Sequence, residues 1–179
     1  SLVGGEGITY DSSQTGPNYA HPDYASTGNP RYMPPLSYAV YDATSLTFYY
    51  DKGMKSHTGS SVKRYSIGNG HQGPTLYCWY EVAENVTRVR FDDSFSDARP
   101  TRTNSWFSQM SNLTEVVGTQ YLNVSEVTDM TAMFSGCTSL TSLDLSTLNT
   151  SKVTPMASMF YGCESLVNLN ISGFSTGNV

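Results

Sequence analysis

The stretch VTDMTAMFSGCTSLTSLDLSTLNTSK, residues 127–152, runs directly into VTPMASMFYGCESLVNLNISGFSTGN, residues 153–178. Met130, Met133, Phe134, Cys137, Leu140, Leu143 and Leu145 return as Met156, Met159, Phe160, Cys163, Leu166, Leu169 and Ile171, a period of 26. A weaker copy lies 27 residues upstream, with Trp106 and Phe107 in the Met-Phe slot and Leu113 and Val116 in Leu slots. Another 27 residues back, Val86, Val89 and Phe91 fill the three Leu slots again. Four strand-like segments therefore begin near residues 86, 113, 140 and 166. One such unit is too thin to bury its own apolar face, so self-similarity at this period predicts stacked neighbours that complete each other's core.

Within a unit, Leu-x-x-Leu-x-Leu reads as a short strand with its apolar residues facing inward. The following STLNTSKVT is rich in Ser and Asn, whose side chains bond nearby backbone and favour turns. In TDMTAMFSG, Met130, Met133 and Phe134 fall at i, i+3 and i+4, which predicts a short helix. Thr128 or Asp129 would cap its start and Gly136 would end it. The expected fold class is thus an α/β repeat solenoid: a short right-handed array of strand–turn–short helix units at 85–179, closed at its amino-terminal end by a β-rich cap.

The two strong copies, with the lead-in FDDSFSDARPTRTNSWFSQMSNLTEVVGTQYLNVSEVTDM before them, closely resemble the leucine-rich repeats of BspA-type bacterial surface proteins. The likeness covers residues 85–179 and rests on the Val-Thr-x-Met-x-x-Met-Phe-x-Gly-Cys run. It departs at Gly118, where the third Leu slot falls, and at Pro155. The resemblance implies a bacterial, exported protein at the cell surface or outside the cell. It also implies adhesion to host or microbial macromolecules. Such a chain would continue into further repeats, and Val179 repeats the residue that opens each earlier copy. The absence of an initiator Met fits a trimmed chain.

Composition narrows the partners. Net charge is −5, and the ten Lys and Arg are scattered, which argues against nucleic acid. No run of eighteen apolar residues is present to span a membrane. Cys78, Cys137 and Cys163 cannot all pair within one chain, and the slot of Cys137 and Cys163 holds Met110 one unit earlier. A slot that accepts Met is an apolar pocket, so buried free thiols are expected rather than a bridge or a metal site.

The amino-terminal half reads differently. Residues 1–36 carry Gly, Pro, Ser, Asn and Tyr and suit an extended segment. The β-rich cap is placed at 37–84: SYAVYDATSLTFYYD as a hairpin turning at Asp42–Ser45, then VKRYSI and PTLYCWYEV as further strands. A hairpin alone is marginal in water, so these strands should dock on the first repeat strand.

No catalytic constellation stands out, so no enzymatic activity and no cofactor are expected. His21, His57 and His71 sit in loop-like stretches without partners at zinc spacing. Asp92, Asp93 and Asp97 lack the calcium-loop pattern and read as a polar turn. Five Asn-x-Ser/Thr matches, at Asn85, Asn112, Asn123, Asn149 and Asn170, read as turn and strand chemistry. What remains is the face between the inward leucines. Its rows are Arg88, Glu115, Ser142, Asn168 and Arg90, Val117, Asp144, Asn170, flanked by Thr87, Thr114, Thr141 and Val167. This face is the candidate binding site for an extracellular protein or glycan. The alternatives are a structural spacer, which leaves the same positions merely solvated, and, with less support, a glycan-active enzyme. The strand at 166–171 would leave a free edge, a candidate for edge-to-edge self-association.

Overall fold

A computed structural model describes residues 35–67, 78–177 and 179. Residues 1–34, with His21, and residues 68–77, with His71, lie outside the described residues.

Strands β1 (Leu36–Asp42) and β2 (Ser45–Asp51) form an antiparallel hairpin closed by Ala43 and Thr44. Strand β3 (Lys63–Ser66) pairs antiparallel with the other edge of β1. Alternation drives this arrangement: Leu46 and Phe48 on β2 are buried, and the residues between them point to the opposite face. Strand β4 (Arg88–Phe91) pairs parallel with β2, and β5 (Glu115–Val117) pairs parallel with β4. The result is a mixed five-stranded sheet in the order β3-β1-β2-β4-β5. Strands β6 (Ser142–Asp144) and β7 (Asn168–Asn170) form a separate two-stranded parallel sheet.

Aromatic packing welds the hairpin to the repeats. The Phe48 ring has Trp79, Phe91, Phe95, Trp106 and Phe107 around it at centroid distances of 4.9 to 5.8 Å. The Trp79 indole N–H donates to the Trp106 carbonyl at 2.7 Å, which satisfies the polar end of a buried ring. Hairpin and repeat thus share one core.

The expected α/β repeat solenoid is not what the chain forms. The fold is mainly a mixed β-sheet, the strand ladder is not continued from β5 to β6, and no α-helix occurs among the described residues. The helices among the described residues are short 3-10 turns, at Met54–Ser56, Tyr80–Asn85, Asp93–Asp97 and Thr119–Tyr121. The strand expected over PTLYCWYEV is likewise replaced, in its described part, by a turn at 78–79 and the 3-10 turn at Tyr80–Asn85.

Backbone hydrogen bonding explains the missing helix. In TDMTAMFSG the N–H groups of Met133, Ser135 and Cys137 close successive turns onto Met130, Ala132 and Phe134. The intervening N–H groups of Met130, Ala132, Phe134 and Gly136 instead donate to Pro155, Ala157, Met159 and Tyr161 of the next repeat. A helix would turn each N–H beyond its first turn back onto the carbonyl four residues earlier. Ala132 at φ 56° lies in the left-handed region, which no α-helix admits. The segment is therefore a string of tight turns cross-linked sideways to its neighbour.

Both departures from the repeat pattern have local causes. At Gly118 (φ 76°) a Cβ would lie 2.2 Å from the Phe91 carbonyl oxygen, so a leucine has no room there. Strand β5 stops at Val117, and the chain turns at Gly118 into Thr119–Tyr121. Pro155 keeps the one group this position uses, its carbonyl, which accepts from Met130. The thiols of Cys137 and Cys163 donate to Phe107 and Phe134 carbonyls at 3.2 Å each, and neither is in a disulfide. Burial pushes the Cys137 thiol up to about 12.

Candidate binding face

The side of the five-stranded sheet away from the core is built by alternation. With Leu46, Phe48, Val89, Phe91 and Val116 turned toward the core, the opposite side receives Ser45, Thr47 and Tyr49 from β2, Arg88 and Arg90 from β4, and Glu115 and Val117 from β5. Register aligns them in two cross-strand rows, Ser45–Arg88–Glu115 and Thr47–Arg90–Val117.

The charges in these rows engage each other. Arg88 Nε lies 3.1 Å from Glu115 Oε2, with both side chains about half exposed. Arg90 Nη2 lies 3.3 Å from Asp92 Oδ2. Partial burial opposes ionisation of Asp92, but hydrogen bonds from Ser94 and the Arg90 charge together hold its carboxyl below the usual range. Exposed pairs of this kind contribute about 0–1 kcal/mol to stability, so the pairing itself adds little to folding.

An aromatic corner adjoins the rows. Tyr38 stacks on Tyr49 at 5.4 Å, and the His57 ring sits 4.7 Å from Tyr49. The Tyr38 hydroxyl donates to Asp51 Oδ1 at 2.5 Å, and His57 Nε2 lies 3.3 Å from the same hydroxyl oxygen. The Gly53 N–H donates to Asp51 Oδ1 at 2.6 Å, which ties the loop after β2 to the corner. Burial, then the bond to Asp51, drives the Tyr38 phenol well above its ordinary value; burial, then the Asp92 charge, raises Tyr49.

Of the residues expected from the sequence, Arg88, Arg90, Glu115 and Val117 come together on the five-stranded sheet. Ser142, Asp144, Asn168 and Asn170 lie on the two-stranded sheet, paired Ser142 with Asn168 and Asp144 with Asn170. Asp144 and Asn170 also serve the backbone: their Oδ1 atoms accept the N–H of Ser146 at 2.9 Å and of Ser172 at 3.2 Å. The bonds from Ser146 lower the Asp144 carboxyl from its usual value. Asn123 and Asn149 make the same two-residue turn, to Ser125 and Ser151, and Asp92 makes it to Ser94. In the flanking row, Thr114 donates through both N–H and hydroxyl to the Thr87 carbonyl.

Ser45, Thr47 and Tyr49 join the face without having been expected there. Their alternation with Leu46 and Phe48 was visible in SLTFYYD, but nothing local says that β2 lies beside β4. Among the described residues no cluster of three or more His, Cys, Asp or Glu is arranged to hold a metal, and no helix is long and apolar enough to cross a membrane.

A family model described as "Mycoplasma protein of unknown function, DUF285" matches residues 85–179, just over half of the chain. No curated protein and no solved structure matches.

Proposed function

The chain belongs to the DUF285 family of Mycoplasma proteins of unknown function, and we propose for it the role of a non-catalytic binding module, exported and acting at the cell surface or outside the cell. Its ligand is an extracellular protein or glycan, met by the rows Ser45–Arg88–Glu115 and Thr47–Arg90–Val117 and by Tyr49 beside them. The observation that carries the reading is the register that lines up these side chains on one side of the sheet, away from the core. Such a face costs little to build, holds guanidinium, carboxylate, hydroxyl and phenol groups within one patch, and is fixed by strands rather than by a loop. Sequence likeness to BspA-type surface proteins adds support from outside the geometry.

A second reading, a structural spacer, draws on the pairing of Arg88 with Glu115 and of Arg90 with Asp92. Charges that satisfy each other need no partner.

One experiment separates the two. The protein is passed over an array of immobilised matrix proteins and glycans, beside the triple variant Arg88→Ala/Arg90→Ala/Glu115→Ala and the single variant Tyr49→Ala. The binding reading expects a saturable hit that the triple variant weakens by about tenfold or more, roughly the loss of 1.4 kcal/mol, with an unchanged melting temperature. A hit equally strong in wild type and both variants removes the face from the argument, and an array without any hit favours the spacer.

A further inference from the structure

The outer side of the five-stranded sheet is open over three strands. Register carries its rows from β2 onto β1, where Thr47 faces Val40 and Tyr49 faces Tyr38. Val40 is 5% and Tyr38 0% exposed, so the open part ends at β2. In the other direction the ladder ends at β5, because β6 pairs with β7 alone. Strands about 4.8 Å apart, with rows about 7 Å apart along them, leave a patch on the order of 200 Å². A stable protein–protein interface takes about 800 Å² from each partner and centres on large apolar anchors. Here the apolar side chains are Val117 and the ring of Tyr49. A small polar ligand suits this patch better than a folded protein does.

Charge narrows the ligand further, because it cancels within the patch. Arg88 Nε lies 3.1 Å from Glu115 Oε2, and Arg90 Nη2 lies 3.3 Å from Asp92 Oδ2. An anionic ligand would have to draw each guanidinium from a carboxylate already beside it, and a cationic ligand the reverse. Neither pair is saturated. A guanidinium carries five N–H donors and a carboxylate about four acceptor sites, so one contact between them leaves most unused. The side chains of Arg88, Glu115 and Arg90 are about half exposed. Donor and acceptor therefore stand side by side, twice, with the hydroxyls of Ser45 and Thr47 next to the two arginines.

A sugar hydroxyl is at once donor and acceptor. Two neighbouring hydroxyls of one ring can bridge such a pair without separating it. Tyr49, fixed against Tyr38 at 5.4 Å and His57 at 4.7 Å, adds a part-exposed ring beside the second row. That ring can cover the C–H face of a sugar at no further cost in side-chain order.

We infer that the ligand of this face is an uncharged oligosaccharide, held through its hydroxyls by the pairs Arg88–Glu115 and Arg90–Asp92 and through a ring face by Tyr49. The inference rests on the proposed reading of this face as a binding site and narrows it to one ligand class.

The test titrates the whole protein against defined probes. These are neutral oligosaccharides of galactose, glucose, mannose or N-acetylglucosamine, their sulfated and sialylated counterparts, and matrix proteins stripped of glycan. A neutral oligosaccharide is expected to bind with a dissociation constant of about 0.1–1 mM, as a small contact area allows. With no net charge to screen, that constant changes less than about twofold between about 0.05 and 0.5 M salt. Arg88→Ala and Glu115→Ala each weaken binding by about tenfold, the loss of hydrogen bonds to a charged group, at an unchanged melting temperature. The sign for Glu115→Ala separates the ligand classes, since an anionic probe binds more tightly once Arg88 is released. If the probe weakened by Arg88→Ala is an anionic glycan or a glycan-free protein, the uncharged ligand is overturned and the binding face stands. If no probe binds up to about 10 mM, a weak limit by affinity arithmetic, or none is weakened in the triple variant Arg88→Ala/Arg90→Ala/Glu115→Ala, the face falls and the inference with it.

Discussion

Leu143 and Leu169 fill the same slot of consecutive repeats, yet Leu143 is 3% exposed and Leu169 38%; for Leu145 and Ile171 the values are 0% and 39%. The side chains are equivalent in sequence and unequal in surroundings, because among the described residues the earlier repeat has a neighbour on both sides and the later on one. The hydrophobic contribution of a repeat residue is therefore set by the adjoining repeat as much as by its own identity. Substitutions that are identical on paper should differ sharply between the two regions.

The largest contrast is expected from a charge in the shared slot. Leu143→Asp buries an unpaired carboxylate and should cost more than about 4 kcal/mol, enough to leave the chain unfolded or nearly so. Leu169→Asp leaves its carboxylate in contact with water and should cost no more than about 1 kcal/mol. Urea unfolding of the two variants checks this. Similar losses would mean that Leu169 is covered in solution.

A graded series comes next, from glycines with the same backbone sign in different company. Gly118 (φ 76°), Gly136 (φ 78°) and Gly162 (φ 72°) all lie in the left-handed region, where any L-residue costs about 1–2 kcal/mol. A Cβ at Gly118 would also meet the Phe91 carbonyl oxygen at 2.2 Å, a backbone atom held in β4. At Gly136 the nearest atom, at 2.6 Å, is Nε2 of Gln109, the movable end of a long side chain; at Gly162 it is the Gly136 Cα at 3.6 Å. Gly118→Ala should therefore cost about 3–4 kcal/mol, strain plus a clash with fixed backbone. Gly136→Ala should cost about 1–2 kcal/mol and Gly162→Ala about 1 kcal/mol, strain with little or no clash. The order is the content of this prediction: a Gly162→Ala loss as large as that of Gly118→Ala would break the account of why β5 ends where it does.

The same contrast marks what the sequence could reveal. Slot periodicity located the strands, because Leu143 and Leu169 alternate with polar residues whatever lies beside them. It could not identify the intervening segment, since Met130, Met133 and Phe134 turn one face inward equally well from a helix or from a string of turns. Ala132 is a good helix former by propensity and takes φ 56° here because half the segment's N–H groups are drawn to the next repeat. The candidate face was legible in its rows, which follow from alternation, but not in its pairings. Arg88 reaches Glu115 only once β4 and β5 are in register, and Tyr49 joins them only because β2 lies beside β4. The turn role of Asp144 and Asn170 was available locally, from the Ser two residues after each.

The smallest effect concerns two buried threonines and is expected to change sign between them. Thr150 closes a link between the repeats: its hydroxyl donates to the Ser175 carbonyl at 3.3 Å and accepts the Ser175 N–H at 2.8 Å. Thr103 is equally buried, stands in the slot that holds Met130 and Met156 in later repeats, and its hydroxyl has no partner among the described residues. Valine has nearly the same shape as threonine without the hydroxyl. Thr150→Val removes two hydrogen bonds to the backbone of Ser175, an exposed residue whose groups can turn to water, so it should destabilise by about 0.5–1 kcal/mol. Thr103→Val removes a desolvated hydroxyl that returns nothing, so it should stabilise by about 1 kcal/mol and raise the melting temperature by about 2–4 °C. Calorimetry on the two single variants and the double variant measures both signs at once. Loss of stability in Thr103→Val would show that its hydroxyl is hydrogen-bonded in solution, and the apolar slot would then have to be redrawn around a polar contact.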